Sequence, residues 1–443
     1  MFLTILLFLL VLSLLVFVHE LGHFATAKKL GMKVDEFGFG FPPRAFGFFK
    51  EKFEEKKLIK EKEEILVEDE VIVSPSTSLD SAQGLRGDEV LKETITDVIQ
   101  DTVEVRQVSR WRFVWGSREE HPDQTIYSIN WIPVGGFVKI HGESGEEKED
   151  STSFSNRPIW QRFIVLIAGV VMNFLFAVAL LSVGFALGLP TVVDESVSTS
   201  ARLTDEKIQV MSVAPESPAA RAGIESADEI LSIDDKVFTS STEARDYIKS
   251  QAGNEVKFLL KRGDDSITAS ATAELLPTYN EKAIGVGLVK TALVSYPWYL
   301  AVFKGFEATF VFTWEVLKAF GNLLWNLVVH QSVAMDLAGP VGIAVMTGEA
   351  AGLGFVYLLQ FAAILSINLA VVNILPFPAL DGGRILFLIV EKIRGRAINE
   401  KMEILMHNLG FAILLLLVAF VTYRDLAKFG GRIVGAVRNL VGV

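Results

Sequence analysis

Residues 2–27 read FLTILLFLLVLSLLVFVHELGHFATA: an uncharged apolar run over 2–18 that ends in His19-Glu20-Leu21-Gly22-His23. A helix carried through Ala27 would reach roughly 35–40 Å, enough to cross a hydrocarbon core of about 30 Å. No basic residue precedes the run, and no small-residue cleavage pattern precedes His19. A retained transmembrane helix is therefore expected rather than a cleaved signal peptide. Histidines four apart on a helix stack one turn apart on one face, where both can hold one zinc ion. The glutamate beside them can take a proton from a water that the metal activates. Ionisable groups at membrane depth are costly and mark function by default.

Working outward, the 443 residues are 50% hydrophobic with a net charge of -11. The apolar residues are clustered rather than spread, which fits a membrane protein with polar parts. The acidic balance argues against a nucleic-acid partner. The chain has no cysteine, which excludes disulfides and thiolate zinc sites. Any metal must then use His, Asp or Glu.

Further apolar runs predict spans at 160–189, 353–375 and 403–423. The expected order is a first span over 1–30, a cytoplasmic-side loop over 31–159 and a second span over 160–189. A compact α+β domain at 195–290 follows, then an amphipathic region over 298–345. A third span with its exit occupies 353–380, a fourth 403–423, and a tail 424–443. Lys28, Lys29, Lys33 and Arg44 follow the first span and none precedes it, so this end is expected in the cytoplasm and the α+β domain outside. In the loop, FGFGFPP (37–43) and PVGGFVKIH (133–141) bracket a charged insert at 51–130. Composition leaves that insert open between a small α+β module and partial disorder. Residues 298–329 are apolar but carry Lys304, Glu307, Glu315 and Lys318, the pattern of a helix lying in the interface. Asn173, polar among apolar neighbours, must find a partner.

Two histidines leave a catalytic zinc one protein ligand short. Spans one and three run in the same direction, so their C-terminal ends share a membrane face. His19 and His23 end the first, and Asp381 lies just past the third, the only acidic residue between Glu349 and Glu391. It follows Pro376 and Pro378, which break the helix, and precedes Gly382 and Gly383, which permit a tight turn. Asp381 is the candidate third ligand. An N-cap for the next helix is the other reading, and the two roles are compatible.

The first motif, with Asn373-Ile374-Leu375-Pro376-Phe377-Pro378-Ala379-Leu380-Asp381-Gly382, resembles the paired H-E-x-x-H and N-x-x-P-x-P-x-L-D-G motifs of the site-2 protease family. These are intramembrane zinc metalloproteases, here of the bacterial type with one PDZ domain. Gly38-Phe39-Gly40 and Gly135-Gly136-Phe137-Val138-Lys139 resemble that family's membrane-associated β-elements. Ser217 to Ile224 (SPAARAGI), with Asp228-Glu229-Ile230-Leu231, looks like a PDZ signature. Gly339-Pro340-Val341-Gly342-Ile343 resembles a segment preceding the family's third span. Three departures stand out: Ala168-Gly169-Val170 lacks the usual proline after the glycine while keeping Asn173, the insert is long, and Ser226-Ala227-Asp228 lacks a turn glycine.

The resemblance implies a polytopic α-helical membrane protein with four transmembrane helices, membrane-associated β-elements and an α+β PDZ-like domain. The resemblance would place it in the cell (inner) membrane, with the active site near the cytoplasmic face. His19, His23 and Asp381 would hold Zn²⁺, and Glu20 would be the general base. Asn368 or Asn373 would stabilise the oxyanion or satisfy broken-helix backbone. A transmembrane substrate must unwind to be cut, and a strand edge at Gly135, Gly136, Phe137 and Val138 would hold it by backbone pairing. The implied partners are the bilayer and single-span membrane proteins, such as anti-sigma factors or remnant signal peptides. The PDZ-like domain would bind substrate termini or filter by size. The competing classes are an inactive membrane-anchored PDZ scaffold and a zinc transporter.

Overall fold

The computed structural model describes residues 2–58, 103–116, 124–143, 149–193, 200–251, 253–263, 265–276, 281–329, 338–396 and 398–441. Most of the charged insert, and with it the choice between module and disorder, lies outside the described residues. Helix α1 (Phe2–Lys29) leads into strands β1 (Val34–Leu58), β2 (Val103–Trp115) and β3 (Ile126–Ile140), then α2 (Ile159–Leu187). The α+β domain follows as β4 (Leu189–Val192), β5 (Arg202–Val213), α3 (Pro218–Arg221), β6 (Glu229–Ile233) and α4 (Ser241–Ser250). It continues through β7 (Glu255–Arg262), β8 (Asp265–Thr272), β9 (Glu274–Leu276), β10 (Glu281–Ala283) and β11 (Val286–Ser295). Helices α5 (Trp298–Val329), α6 (Pro340–Leu353), α7 (Phe355–Ile374), α8 (Asp381–Arg394) and α9 (Glu400–Val441) complete the chain.

Among the described residues, four helices are long and apolar enough to cross a membrane: Leu3–Lys29, Ile159–Leu187, Phe355–Ile374 and Lys401–Lys428. Helices α1, α2 and α7 meet around Val11, Leu15 and Ala362, with Phe176 and Leu180 packed against them. Helix α9 stands apart: only 11% of its apolar window is buried. Its helix continues to Val441, so the segment expected as a tail is helical. A carboxylate ties it to α6, where Gly342 N–H donates to Asp425 Oδ2 at 2.7 Å.

Helix α5 is not among the four, because its charges interrupt the apolar run. Lys304 pairs with Glu307 (2.7 Å) and Lys318 with Glu315 (2.6 Å) along its own surface. Yet Ala301, Ala308, Phe312, Val316 and Phe320 all pack into a cluster with Ala177, Leu181 and Phe185 of α2 and Ala363, Ile367 and Val371 of α7. Roughly five turns of α5 therefore touch the bundle, which its charge pattern alone does not reveal.

The first sheet has the order β2-β1-β3. Strand β3 wraps the start of β1, so that Phe37 faces Val138 on one side and Tyr127 on the other. Residues 132–140 thereby form a sheet edge, and α1 lies beside it. Ser13 donates to Pro133 O (3.1 Å) and accepts from Gly135 N–H (3.2 Å). Alternation puts Trp111, Phe113 and Trp115 on one exposed face of β2, with Phe46 stacked on Phe113 and Trp115. Such aromatic rings suit a membrane–water interface.

The second sheet runs β4-β11-β5-β6-β7-β8. Its core is Ile208, Val210, Ile233, Val256, Phe258 and Leu260, inward residues of its strands, closed by Ala244 and Ile248 of α4. Burial alone raises the Asp228 pKa, but hydrogen bonds from Arg262 and the Glu225 N–H outweigh it and hold the carboxyl below its usual range. The Arg262 Nε and Nη2 donate in a fork to its two oxygens at 2.7 Å each. The domain rises from the end of α2 and returns there, since β4 pairs with β11 and Tyr296 N–H donates to Phe185 O (2.9 Å).

Candidate metal centre

Long apolar runs build α1 and α2, and two glycines let them cross closely. A Cβ on Gly22 would sit 2.7 Å from Met172 Cγ, and one on Gly169 would sit 2.7 Å from both Cε1 and Nε2 of His19. The imidazoles thus occupy the space where a side chain at 169 would be. His19 is 5% exposed and His23 6%, so both are withdrawn from lipid and from bulk water.

The third group arrives from α7. That helix ends at Ile374 with Leu375 as its C-cap, and after a short turn Asp381 opens α8. Leu380, not Asp381, holds the N-cap position, so the capping role is not taken. The Asp381 carboxylate turns to α1 instead. Its Oδ2 lies 2.9 Å from His19 Nε2 and 3.4 Å from His23 Nε2, and the two Nε2 atoms are 3.2 Å apart. Donors bound tetrahedrally to zinc at about 2.0–2.1 Å stand about 3.3 Å apart, which this triangle matches.

The tautomers also fit a metal. His23 Nδ1–H donates to Val165 O at 2.8 Å, which leaves Nε2 as a lone pair facing the triangle. Asn173, fully buried, lies 3.1 Å from His19 Nδ1. Its Oδ1 has no hydrogen-bond partner. Turning the amide end for end lets Oδ1 accept the His19 Nδ1–H and frees that ring's Nε2 as well. With both rings in these tautomers, the two Nε2 lone pairs face each other across 3.2 Å, an arrangement that a bound metal ion would satisfy. Among the described residues this is the group of His, Asp or Glu able to hold a metal.

Glu20 follows His19 directly and lies against β3, where a Cβ on Gly136 would be 3.1 Å from Glu20 Cγ. Gly135 and Gly136 are buried here; Phe137 and Val138 are partly exposed along the edge. Asn373 Nδ2 lies 3.3 Å from His19 Nε2, whereas Asn368 makes no side-chain hydrogen bond to the imidazoles. Sequence reasoning marked Gly169 as part of a departure from the family pattern and Asn173 for its unmet polarity, but not that both lie against His19. It passed over Val165 because a backbone carbonyl leaves no mark in sequence.

The sequence model of Peptidase family M50 matches residues 7–56 and 113–417. The chain belongs to that family: it is a zinc-dependent metalloendopeptidase and an integral membrane protein. Most of the charged insert falls in the gap between the two matched stretches. "Regulator of sigma-W protease RasP" of Bacillus subtilis is 32% identical, covering 96% of this chain and 98% of that protein. "Zinc metalloprotease RasP" of Geobacillus kaustophilus is 30% identical, covering 96% and 98% respectively. Among solved structures, the PDZ domain of an SdrC-like protein from Listeria monocytogenes is 34% identical, covers 20% of this chain and 92% of that one, and has a TM-score of 0.18.

Alanine at Gly169 should push the two imidazoles apart. Bound zinc in the purified Gly169→Ala protein is expected to fall roughly tenfold or more, with helical circular dichroism unchanged. Full zinc content would show that the α1–α2 crossing does not shape the site.

Proposed function

We propose that the chain hydrolyses peptide bonds within transmembrane segments of single-span membrane proteins, with His19, His23 and Asp381 as metal ligands and Glu20 as general base. The observation that carries this reading is the donor triangle of 2.9, 3.2 and 3.4 Å, buried where helices of membrane-crossing length converge. Zinc held there supplies Lewis acidity and lowers the pKa of a water towards about 7. Glu20 takes a proton from the attacking water and returns it to the departing amine nitrogen, so the base is regenerated each turnover. Asn373 is preferred to Asn368 as oxyanion donor, because its amide already reaches His19 Nε2 at 3.3 Å. Changing Glu20 to Gln keeps shape and removes the base. Zinc content should stay at the wild-type level while cleavage of a model transmembrane substrate in detergent falls at least about a hundredfold. Equal cleavage would remove Glu20 from the mechanism.

The free edge of β3 beside Glu20 supports a substrate-holding role for Gly135, Gly136, Phe137 and Val138. An unwound segment would pair there as an added strand, its carbonyls presented to the metal centre. Proline at Val138 removes a backbone donor. Turnover of a membrane substrate should drop while zinc remains bound; unchanged turnover would dismiss the edge.

The cationic residues at the end of α1 and just beyond it support a cytoplasmic metal site and an α+β domain outside. Attachment of that domain at the far end of α2, 18 residues from Gly169, puts it roughly 27 Å along the helix from the site. This distance suits a PDZ-like filter that excludes substrates with large outer domains better than a group acting in the chemistry. The name of the Bacillus subtilis relative favours substrates of the anti-sigma class. Protease added to intact cells should reach the domain, and deleting residues 195–290 should admit substrates with bulkier outer parts. Loss of cleavage of pre-trimmed substrates would argue instead for terminus binding.

A further inference from the structure

The turn that delivers Asp381 is held from outside itself. In Phe377-Pro378-Ala379-Leu380, Leu380 N–H donates to Phe377 O at 3.2 Å, closing a β-turn with proline at its second position. Its third position, Ala379, has φ +80. That is the type II pattern, and the left-handed residue it demands is ordinarily glycine. Alanine there carries a Cβ penalty, so the conformation persists only if its surroundings impose it.

Helix α9 supplies that surrounding. Ala379 N–H, the amide the turn leaves unused, donates to His407 Nδ1 at 2.9 Å. The ring is set edge-on against Phe387 of α8, with centroids 5.7 Å apart. One turn later, a Cβ on Gly410 would lie 2.5 Å from Pro378 Cβ, so glycine lets α9 sit directly on the turn. Helix α9 is otherwise little buried, so this grip fastens it to the part of the chain that carries the carboxylate. Two residues beyond Ala379 stands Asp381.

We propose that His407 is a positioning residue: by accepting the Ala379 amide hydrogen it holds the left-handed turn that aims the Asp381 carboxylate at His19 and His23. The inference rests on the reading of Asp381 as a metal ligand. It assigns the fourth apolar helix a direct part in setting the metal centre.

The test measures zinc loss from the full-length, detergent-solubilised protein into a colorimetric chelator, alongside cleavage. His407→Ala should lose zinc about ten- to a hundredfold faster, as expected when a group that orients a ligand is removed. His407→Asn, whose Oδ1 stands near the position of Nδ1, should stay close to wild type. Ala379→Gly in the His407→Ala background should restore retention, because glycine adopts the turn without help. Asp381→Asn serves as the control for the ligand reading. Wild-type retention in His407→Ala beside rapid loss in Asp381→Asn would overturn the role of His407 and leave the ligand standing. Rapid loss in His407→Ala, matched by His407→Asn and not relieved by adding Ala379→Gly, would reduce His407 to packing and overturn the proposal. Retained zinc in Asp381→Asn would remove the ligand and the proposal with it.

Discussion

The Nε2 atoms of His19 and His23 stand 3.2 Å apart and share one Asp381 oxygen at 2.9 and 3.4 Å, a cluster of donors that a metal ion between them would satisfy. Everything around the site serves to hold it before the metal arrives. Each ring meets α2 from behind, His23 Nδ1 at the Val165 carbonyl and His19 Nδ1 at the Asn173 amide. Both of these groups lie on α2, and they can reach α1 only because Gly22 and Gly169 bring the two helices into backbone contact. In a lipid setting small residues are the means of close helix approach, since apolar side chains gain nothing by leaving the hydrocarbon for each other. Here the same device makes room for ligands.

The carboxylate poses a different problem. A charged group within an apolar bundle is costly unless partnered, and a regular helix would spread its residues along the membrane rather than deliver one to a point. Breaking α7 at Leu375 and restarting the chain at Asp381 solves both difficulties. The break frees backbone groups, and the turn at Phe377–Leu380 together with His407 takes them up. The site is thus assembled from two helices in contact and one that is interrupted, with α9 bracing the interruption.

A sheet edge lies against α1 at the level of Glu20. Ser13 anchors that edge through both Pro133 and Gly135, a small polar residue inside a span doing what a lipid-facing leucine could not. The α+β domain, tied to the other end of α2, stands away from the chemistry. The donor triangle and the α+β domain are thereby separated along the length of one helix.

The sequence by itself determined the spans, the paired histidines with their glutamate, and the carboxylate after a broken helix, because each is written in local pattern: apolar length, helical spacing, proline and glycine punctuation. It also outlined the α+β domain at 195–290, although β4 and the end of β11 carry its sheet beyond those bounds. Only the tertiary structure decided which groups stand behind the candidate ligands. His19 and Asp381 are 362 positions apart, Asn173 lies 154 from His19, and the Val165 carbonyl has no side chain to announce it. Nor did any local signal mark His407, a lone histidine on a peripheral helix, or the packing of α5 along the bundle despite its four charges. Local pattern fixes which residues share a face of one element; which faces meet depends on close packing across the whole chain, and no short stretch of sequence contains that.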